Sequence, residues 1–407
     1  MNKLFSTLFS SLRAKFTSLW TRLRLWVSPT FWRTRVFTWL RRAFSTLFDV
    51  RPKHKKDYYV LLNWMVSKRL AFAIVVVLGV LCVWFILSML PTPASAGNTG
   101  VTINTYRYNS IPLKFQNGTV RILAADGHLA YVGQVQDAKC EGAGTLYDKD
   151  GNTVYEGAFS DNMYNGTGTT YYADGTVQYT GNFTDNLYNG VGKYFRPTGV
   201  LEYEGDYVTG VRSGKGTLYN STGSSIFTGS FQKDQIVFGE LVDKATTDVA
   251  QMYTGVSQVY SSSSEYCVYM EEIGAVYAVA DGTAALDDSW NVTGVYVLGS
   301  SALIEGEIYS SINRITQVLG DPDYSGTAWV DLAEAVCVNQ LVQQEADTVE
   351  AVDMEIASSY EGVYTVSDYD RDGELYIYSY QRDGLLYTFY CTGAGIDQFF
   401  MYAIQTA

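Results

Sequence analysis

The chain has 407 residues, with 29 Lys/Arg against 42 Asp/Glu and a formal net charge of −13, length for roughly two or three domains. Its five cysteines include no CxxC pair, which excludes metal-knuckle and thioredoxin-like classes. Its two histidines, His54 and His128, leave little from which to build a His-based triad or zinc site.

Charge is split along the chain. Residues 1–69 hold 15 Lys/Arg and 2 Asp/Glu, whereas the region after residue 90 holds 14 Lys/Arg and 40 Asp/Glu, a net of −26. The first 69 residues read as a basic amphipathic cytoplasmic arm. Leu4, Leu8, Leu12, Leu19 and Leu23 follow a helical period, and beyond Pro29 a second run places Trp32, Val36, Trp39, Leu40 and Phe44 near one face. Arg22, Arg24, Arg33, Arg35, Arg41 and Arg42 supply positive charge. Such helices lie in the headgroup zone of an anionic leaflet. The many large apolar side chains argue against nucleic acid as the partner.

Leu70–Leu90, "LAFAIVVVLGVLCVWFILSML", carries no charge. As a helix it would span about 31 Å, matching the ~30 Å hydrocarbon core, and it is expected to be a transmembrane helix. Lys68 and Arg69 abut it, so the positive-inside rule keeps the N-terminus cytoplasmic and the acidic portion extracellular. Residues 91–106 form a linker. "PTPASAG" offers signal-peptidase spacing at Ala94 and Ala96, but the apolar run exceeds a signal sequence, and an uncleaved single-pass anchor is expected.

From 107 to 240 the chain repeats. Tyr131, Tyr155, Tyr179, Tyr203 and Phe227 recur every 24 residues, with Gly133, Gly157, Gly181, Gly205 and Gly229 two residues on. Taking the tyrosine as position 1, glycines return at positions 12 and 14 (Gly166 and Gly168, for example) and at position 21 (Gly175). A fixed period of this length means an array of supersecondary units. Each unit reads as a β-hairpin: "VYEGAF" a strand, "SDNMYN" a turn, "GTGTTYY" the return. Asn162, Asn186 and Gly210 are expected to share one left-handed conformation. Aromatics at position 1, at position 5 (Phe159, Phe183, Tyr207, Phe231) and at position 17 (Tyr147, Tyr171, Phe195, Tyr219) are expected to stack into a core ladder.

These residues resemble the MORN (membrane occupation and recognition nexus) repeat: Tyr-x-Gly-x-aromatic, then Gly-x-Gly, then Asp-Gly. The period here is 24 where the family usually has 23, and the usual glycine at position 8 is Ala138, Asn162 or Asn186 in three units. The resemblance implies an elongated ribbon of antiparallel hairpins and a scaffold that contacts a protein, lipid or glycan partner. Tyr164 and Tyr188, at position 10 and expected in the turns, are the candidate partner-binding residues, since Cys140 and Arg212 show that the hairpin does not require an aromatic there.

Residues 241–264 read as a capping helix and a "SSSS" linker, and 265–407 as an α+β domain. Its expected elements are strands in "AVYAVA", "TGVYVLG" and "LIEGEIY", a helix capped by Ser310 or Ser311, a second helix within 328–345, and a hairpin turning at Asp383–Gly384. The whole is therefore mainly β: one transmembrane helix, a hairpin ribbon, then an α+β domain. Asp368, Asp370 and Asp372 copy positions 1, 3 and 5 of an EF-hand loop, but Ser379 stands where the bidentate Glu belongs. No cofactor is expected. The rival to a scaffold is an envelope enzyme whose active site lies in the C-terminal domain, on carboxylates such as Glu271, Glu272, Glu305 and Glu307. A pocket that converges them would mark it. Cys140 with His128 is the one Cys/His pair on the outside.

Overall fold

The computed structural model describes residues 55–61, 64–89, 92–93, 103–279, 290–344, 349–360, 362–370 and 375–407. The chain divides into two compact units, Met1–Leu90 and Pro91–Ala407, taken separately below.

In the first unit, strands Tyr58–Leu61 and Trp64–Ser67 pair antiparallel and lead into helix α1, Lys68–Met89. Ser67 Oγ accepts the Leu70 N–H at 3.1 Å, satisfying one of the orphan donors of the first turn. Its described side chains, residues 70–85, include Phe72, Val75, Val80 and Trp84, all exposed. Among the described residues no helix is long and apolar enough to cross a membrane. α1 runs 22 residues, and the expected membrane span is not shown. Of the amphipathic arm expected over 1–69, residues 1–54, with both of its expected helices, lie outside the described residues.

The second unit opens with a 13-stranded sheet laid out in chain order, from Gln235–Ile236 at one edge to Thr92–Pro93 at the other. Apart from one parallel pair near its start, Asn104–Arg107 with Gly118–Leu123, it is a succession of antiparallel hairpins. The turns are shorter than the sequence suggested. Strand Thr153–Ser160 returns as Met163–Tyr171 across Asp161–Asn162 alone, and Val177–Thr184 returns as Leu187–Phe195 across Asp185–Asn186. Both residues of each turn have positive φ (53° and 69°; 50° and 71°), the geometry whose twist matches the flanking strands. Asn162, Asn186 and Gly210 do share a left-handed conformation. The asparagines do more than tolerate it. Asn186 Oδ1 accepts the Tyr164 N–H at 2.8 Å while Asn186 N–H donates to Tyr164 O at 3.1 Å, tying each turn to the unit before it. Asn162 makes the same reciprocal pair with Cys140.

The aromatic ladder is an unbroken zigzag of edge-to-face contacts. It runs Tyr131, Phe159, Tyr155, Phe183, Tyr179, Tyr207, Tyr203, Phe231, Phe227, with centroids 5.0–5.9 Å apart. Such pairs contribute roughly 0.5–1.5 kcal/mol each beyond their burial. Each position-1 tyrosine lies across the glycines at positions 3 and 14 and donates its hydroxyl to the carbonyl three residues on, as Tyr179 does to Asn182 O at 3.0 Å. The position-17 aromatics are not in the ladder. Tyr194 pairs with both Tyr179 and Tyr203, so position 16 shares the core face and period-2 alternation turns position 17 away from it. Tyr147, Tyr171, Phe195 and Tyr219 are half-buried. The far face is polar, with Thr169–Thr180, Lys193–Glu204 and Thr217–Thr228 facing each other across the strands.

Helix α2, Thr246–Met252, packs on strand Ser225–Gln232, the last long strand of the ribbon. Tyr253 beyond it repeats the ribbon's device: it bridges Phe227, its ring covers Gly255, and its hydroxyl donates to Val256 O at 2.6 Å. The segment 261–264 is not a linker but the turn joining Ser257–Ser261 to Tyr266–Met270.

The C-terminal sheet has 10 strands, and one pair, Ser257–Ser261 with Val363–Tyr369, is parallel. Tyr266, Val268 and Met270 join the core that runs on from the ribbon. The alternate residues Cys267 and Tyr269 join a second core on the other face, under helix α4 (Leu332–Gln344). Helix α3, Ile312–Leu319, is capped by Ser311, whose Oγ accepts the Arg314 N–H at 3.3 Å. The domain is α+β, and its hairpin turns at Asp383–Gly384, both with positive φ. Cys267, Cys337 and Cys391 are buried free thiols.

Candidate functional site

A cavity of about 340 Å³ opens on the aromatic face of the ribbon, lined by Tyr188, Tyr194, Glu202, Tyr203, Tyr207, Gly210, Arg212 and Asp234. Its origin lies in where this stretch departs from its own repeat. At position 10, Tyr164 stacks on Tyr155 and Tyr188 stacks on Tyr179, each at 3.8 Å between centroids. In the next unit that place falls to Arg212, whose guanidinium lies 5.5 Å over Tyr203. Arg212 is drawn onward by Asp234, with Nε donating to Oδ1 at 3.2 Å and its backbone N–H to the same oxygen at 2.9 Å. At position 8 Gly210 replaces the asparagine, and its N–H still donates to Tyr188 O at 2.9 Å. At position 16, Leu146, Thr170 and Leu218 of the other units give way to Tyr194. Glu202 precedes Tyr203 in a bulge that every unit shares, where Phe195 pairs with Leu201 and Tyr194 with Tyr203, so the departure is the glutamate and not the bulge. A bulge re-aims the side chain it carries.

The charges at the cavity fall in two ion pairs, Arg212–Asp234 and Arg196–Glu202. Arg212 is compensated by Asp234. Arg196 donates an NH2 hydrogen to Tyr219 O at 3.0 Å, and its Nε stands 3.8 Å from Glu202 Oε2, beyond hydrogen-bond reach. Among the described residues no hydrogen bond reaches the Glu202 carboxylate. Burial pushes the hydroxyl pKa of Tyr188 and Tyr207 up and that of Tyr203 up to about 12, so the phenols stay neutral.

The residues singled out by sequence fall as follows. Tyr188 lines the cavity and Tyr164 does not; both sit in strands, half-buried, not in turns. Phe183 lies between them, 5.8 Å from Tyr164 and 5.5 Å from Tyr188. Asp368 ends in strand Val363–Tyr369 opposite Glu355, and the Asp370 N–H donates to Asp353 O at 2.8 Å. Asp372 lies outside the described residues. Among the described residues no group of three His/Cys/Asp/Glu is placed to hold a metal ion. Glu272 Oε2 lies 2.5 Å from the Tyr253 hydroxyl oxygen and accepts the Val256 N–H at 2.6 Å, and Glu307 pairs with Lys233 at 2.7 Å. Glu272 and Glu307 are thus each engaged in a contact of their own. His128 bonds Asp126 within its own turn at 2.5 Å, while Cys140 packs toward Tyr131.

The raised carboxyls lie elsewhere. Asp331 and Glu334 form a reciprocal capping box at the start of α4, with N–H to carboxylate distances of 2.8 and 2.9 Å. Tyr390 donates to Glu334 and Tyr296 to Asp331. Burial raises both pKa values. These groups are saturated inside the core and present nothing to a ligand. Sequence reading missed Tyr194 and Glu202 as site residues, although their departure from the residues at the same repeat positions was visible.

Four stretches, residues 131–153, 155–177, 179–200 and 203–225, match the MORN repeat. The chain therefore carries MORN repeats, and the class they define is one of binding and scaffolding ribbons. No curated protein matches the chain.

Proposed function

We propose that this is a membrane-anchored MORN-repeat scaffold, exposed outside the cytoplasm, that recruits a partner through the aromatic face of its ribbon. The observation that carries the reading is the cavity between the third and fourth clear repeats, where Tyr194, Glu202, Gly210 and Arg212 depart from the residues of other units. Tyr188 belongs to the recruiting face; Tyr164 supports it from the neighbouring unit. The anchoring half of the proposal rests on the uncharged Leu70–Leu90 run, the basic arm before it and the net charge of −26 after it. Protease applied to intact cells should remove the acidic portion and spare the arm; a protected acidic portion overturns the topology. For the recruiting half, a photo-crosslinking residue in place of Leu187, whose side chain reaches the Gly210 turn, should yield a discrete adduct in cells. Replacement of Thr222, at a distant turn, should not. Equal or absent adducts overturn a partner at this face.

A further inference from the structure

We infer that the loop of residues 108–117, at the edge of the ribbon where the chain enters it, seats that edge on an anionic phospholipid surface. The inference extends the anchoring half of the proposal above and rests on it.

Exposure is the first argument. The loop leaves strand Asn104–Arg107 and returns as the parallel strand Gly118–Leu123. A single turn, Pro112–Phe115, crosses between them and buries Leu113 in the ribbon's core. The other large apolar side chains stay outside: Phe115 is 78% exposed, Tyr108 65% and Ile111 45%. Single apolar residues on a surface are ordinary, but three on one short loop mark an interaction surface.

Charge is the second. Residues 91–125 form the longest acid-free stretch beyond residue 90, and they carry Arg107, Lys114 and Arg121. The residues after 125 hold the other 11 of the 14 Lys/Arg and all 40 Asp/Glu. Among the described residues none of Arg107, Lys114 and Arg121 makes an ion pair. By contrast Arg212, Lys215 and Lys233, the cations of the next longest acid-free stretch, each pair with a carboxylate. An anionic surface repels the acidic body and draws these unpaired cations. Phe and Tyr beside such cations settle into the headgroup zone.

Placement is the third. Thr92 and Pro93, just beyond Leu90, pair antiparallel with Thr105 and Asn104. The chain thus enters the sheet from the end of strand Asn104–Arg107 at which Tyr108 begins the loop. Two residues reach at most about 7 Å, so an anchor ending at Leu90 holds this end of the edge close to lipid.

The test uses full-length protein in bilayers of phosphatidylglycerol and phosphatidylcholine. Phe115→Trp should add an emission, after subtraction of the native spectrum, that bromines near the headgroup end of the acyl chain quench more than bromines near its tail. Ile111→Trp gives a second reporter at an exposed position. Thr222→Trp, at a distant turn, should add an emission that neither lipid quenches. Lys114→Glu in the Phe115→Trp protein, or phosphatidylcholine alone, should weaken the quenching at least about twofold with the melting transition retained. Unquenched reporters in protein that cofractionates with bilayers overturn the inference and leave the anchor standing; a loop reserved for a protein partner gives this result. Equal quenching at 115 and 222 overturns it too, and quenching indifferent to Lys114→Glu and to the lipid charge overturns an anionic surface. Protein that stays out of the bilayer sinks the anchor and the inference together.

Discussion

Tyr155 lies flat across Gly157: a Cβ built on that glycine would stand 2.5 Å from the phenol oxygen and 2.5 Å from Gly168 Cα on the paired strand. The recurrence of tyrosine and glycine is therefore a single requirement. The ring must lie down for its hydroxyl to reach Ala158 O at 2.8 Å, and only glycine leaves space beneath it. Gly157→Ala should cost about 1–3 kcal/mol of unfolding free energy from overpacking. In a Tyr155→Ala background, already weakened, the same substitution should cost less by the part due to the ring, while the part due to Gly168 Cα remains. Urea melts of the four proteins measure the coupling. An unchanged cost in the double mutant would mean that the ring is not what the glycine serves.

Tyr164 and Tyr188 were legible as unusual but not as structural. Each stacks face-to-face on a buried ladder tyrosine, at interplanar angles of 9° and 15°. Replacing both with serine should lower stability by about 2–4 kcal/mol, given that half-buried aromatics lose both area and stacking. A denaturant midpoint that does not move would return them to the role of a free surface platform.

Asn186 joins two jobs in one side chain: a φ of 71° and an acceptor for the Tyr164 N–H. Asn186→Ala loses both and should cost about 1–2 kcal/mol. Asn186→Gly keeps the backbone preference and loses only the acceptor, so it should fall between alanine and the native residue. Chemical denaturation gives the order, and alanine equal to glycine would exclude the conformational part.

The hairpin period, the turn residues and most C-terminal elements could be read from the sequence because they depend on neighbours within a few residues. Asp383–Gly384 announces its turn, and Ser311 its helix. The errors arise where geometry depends on distant pairing. Phe195 was placed in the ladder because it is aromatic, yet its face is fixed by Tyr194 pairing across to Tyr179 and Tyr203. Ser261–Ser264 looked like a linker because nothing local reveals that Ser257–Ser261 pairs in parallel with Val363–Tyr369. The cavity could be read only in part: Tyr188, Tyr194 and Glu202 stand out against their repeat positions, but Arg212 leaning to Asp234 on a later turn does not show locally. Tyr253 reproduces the ribbon's ring-over-glycine contact at Gly255, but its spacing of 26 from Phe227 hid it from a 24-residue period.

The buried box at α4 predicts how stability depends on pH. Burial first, and then the Asp331 charge, push the Glu334 pKa up to about 8, and burial raises Asp331 as well. The folded carboxyls thus hold protons that the unfolded chain, with carboxyls near 4, releases. Their contribution is fully present below the unfolded pKa and is lost as pH rises through the folded one. The exposed carboxyls of Asp126, Asp148 and Asp174 are shifted downward by hydrogen bonds, so they act only in acid and do not mask the trend. The melting temperature should therefore decline from about pH 5 to about pH 9. Glu334→Gln keeps an acceptor for Tyr390 but turns an amide toward the Asp331 N–H, losing one hydrogen bond. It should be less stable than the native protein near pH 5 and nearly flat above it, so that the two curves converge. Thermal melts across the range decide, and a decline of the same slope in the glutamine variant would assign the pH dependence to groups outside this box.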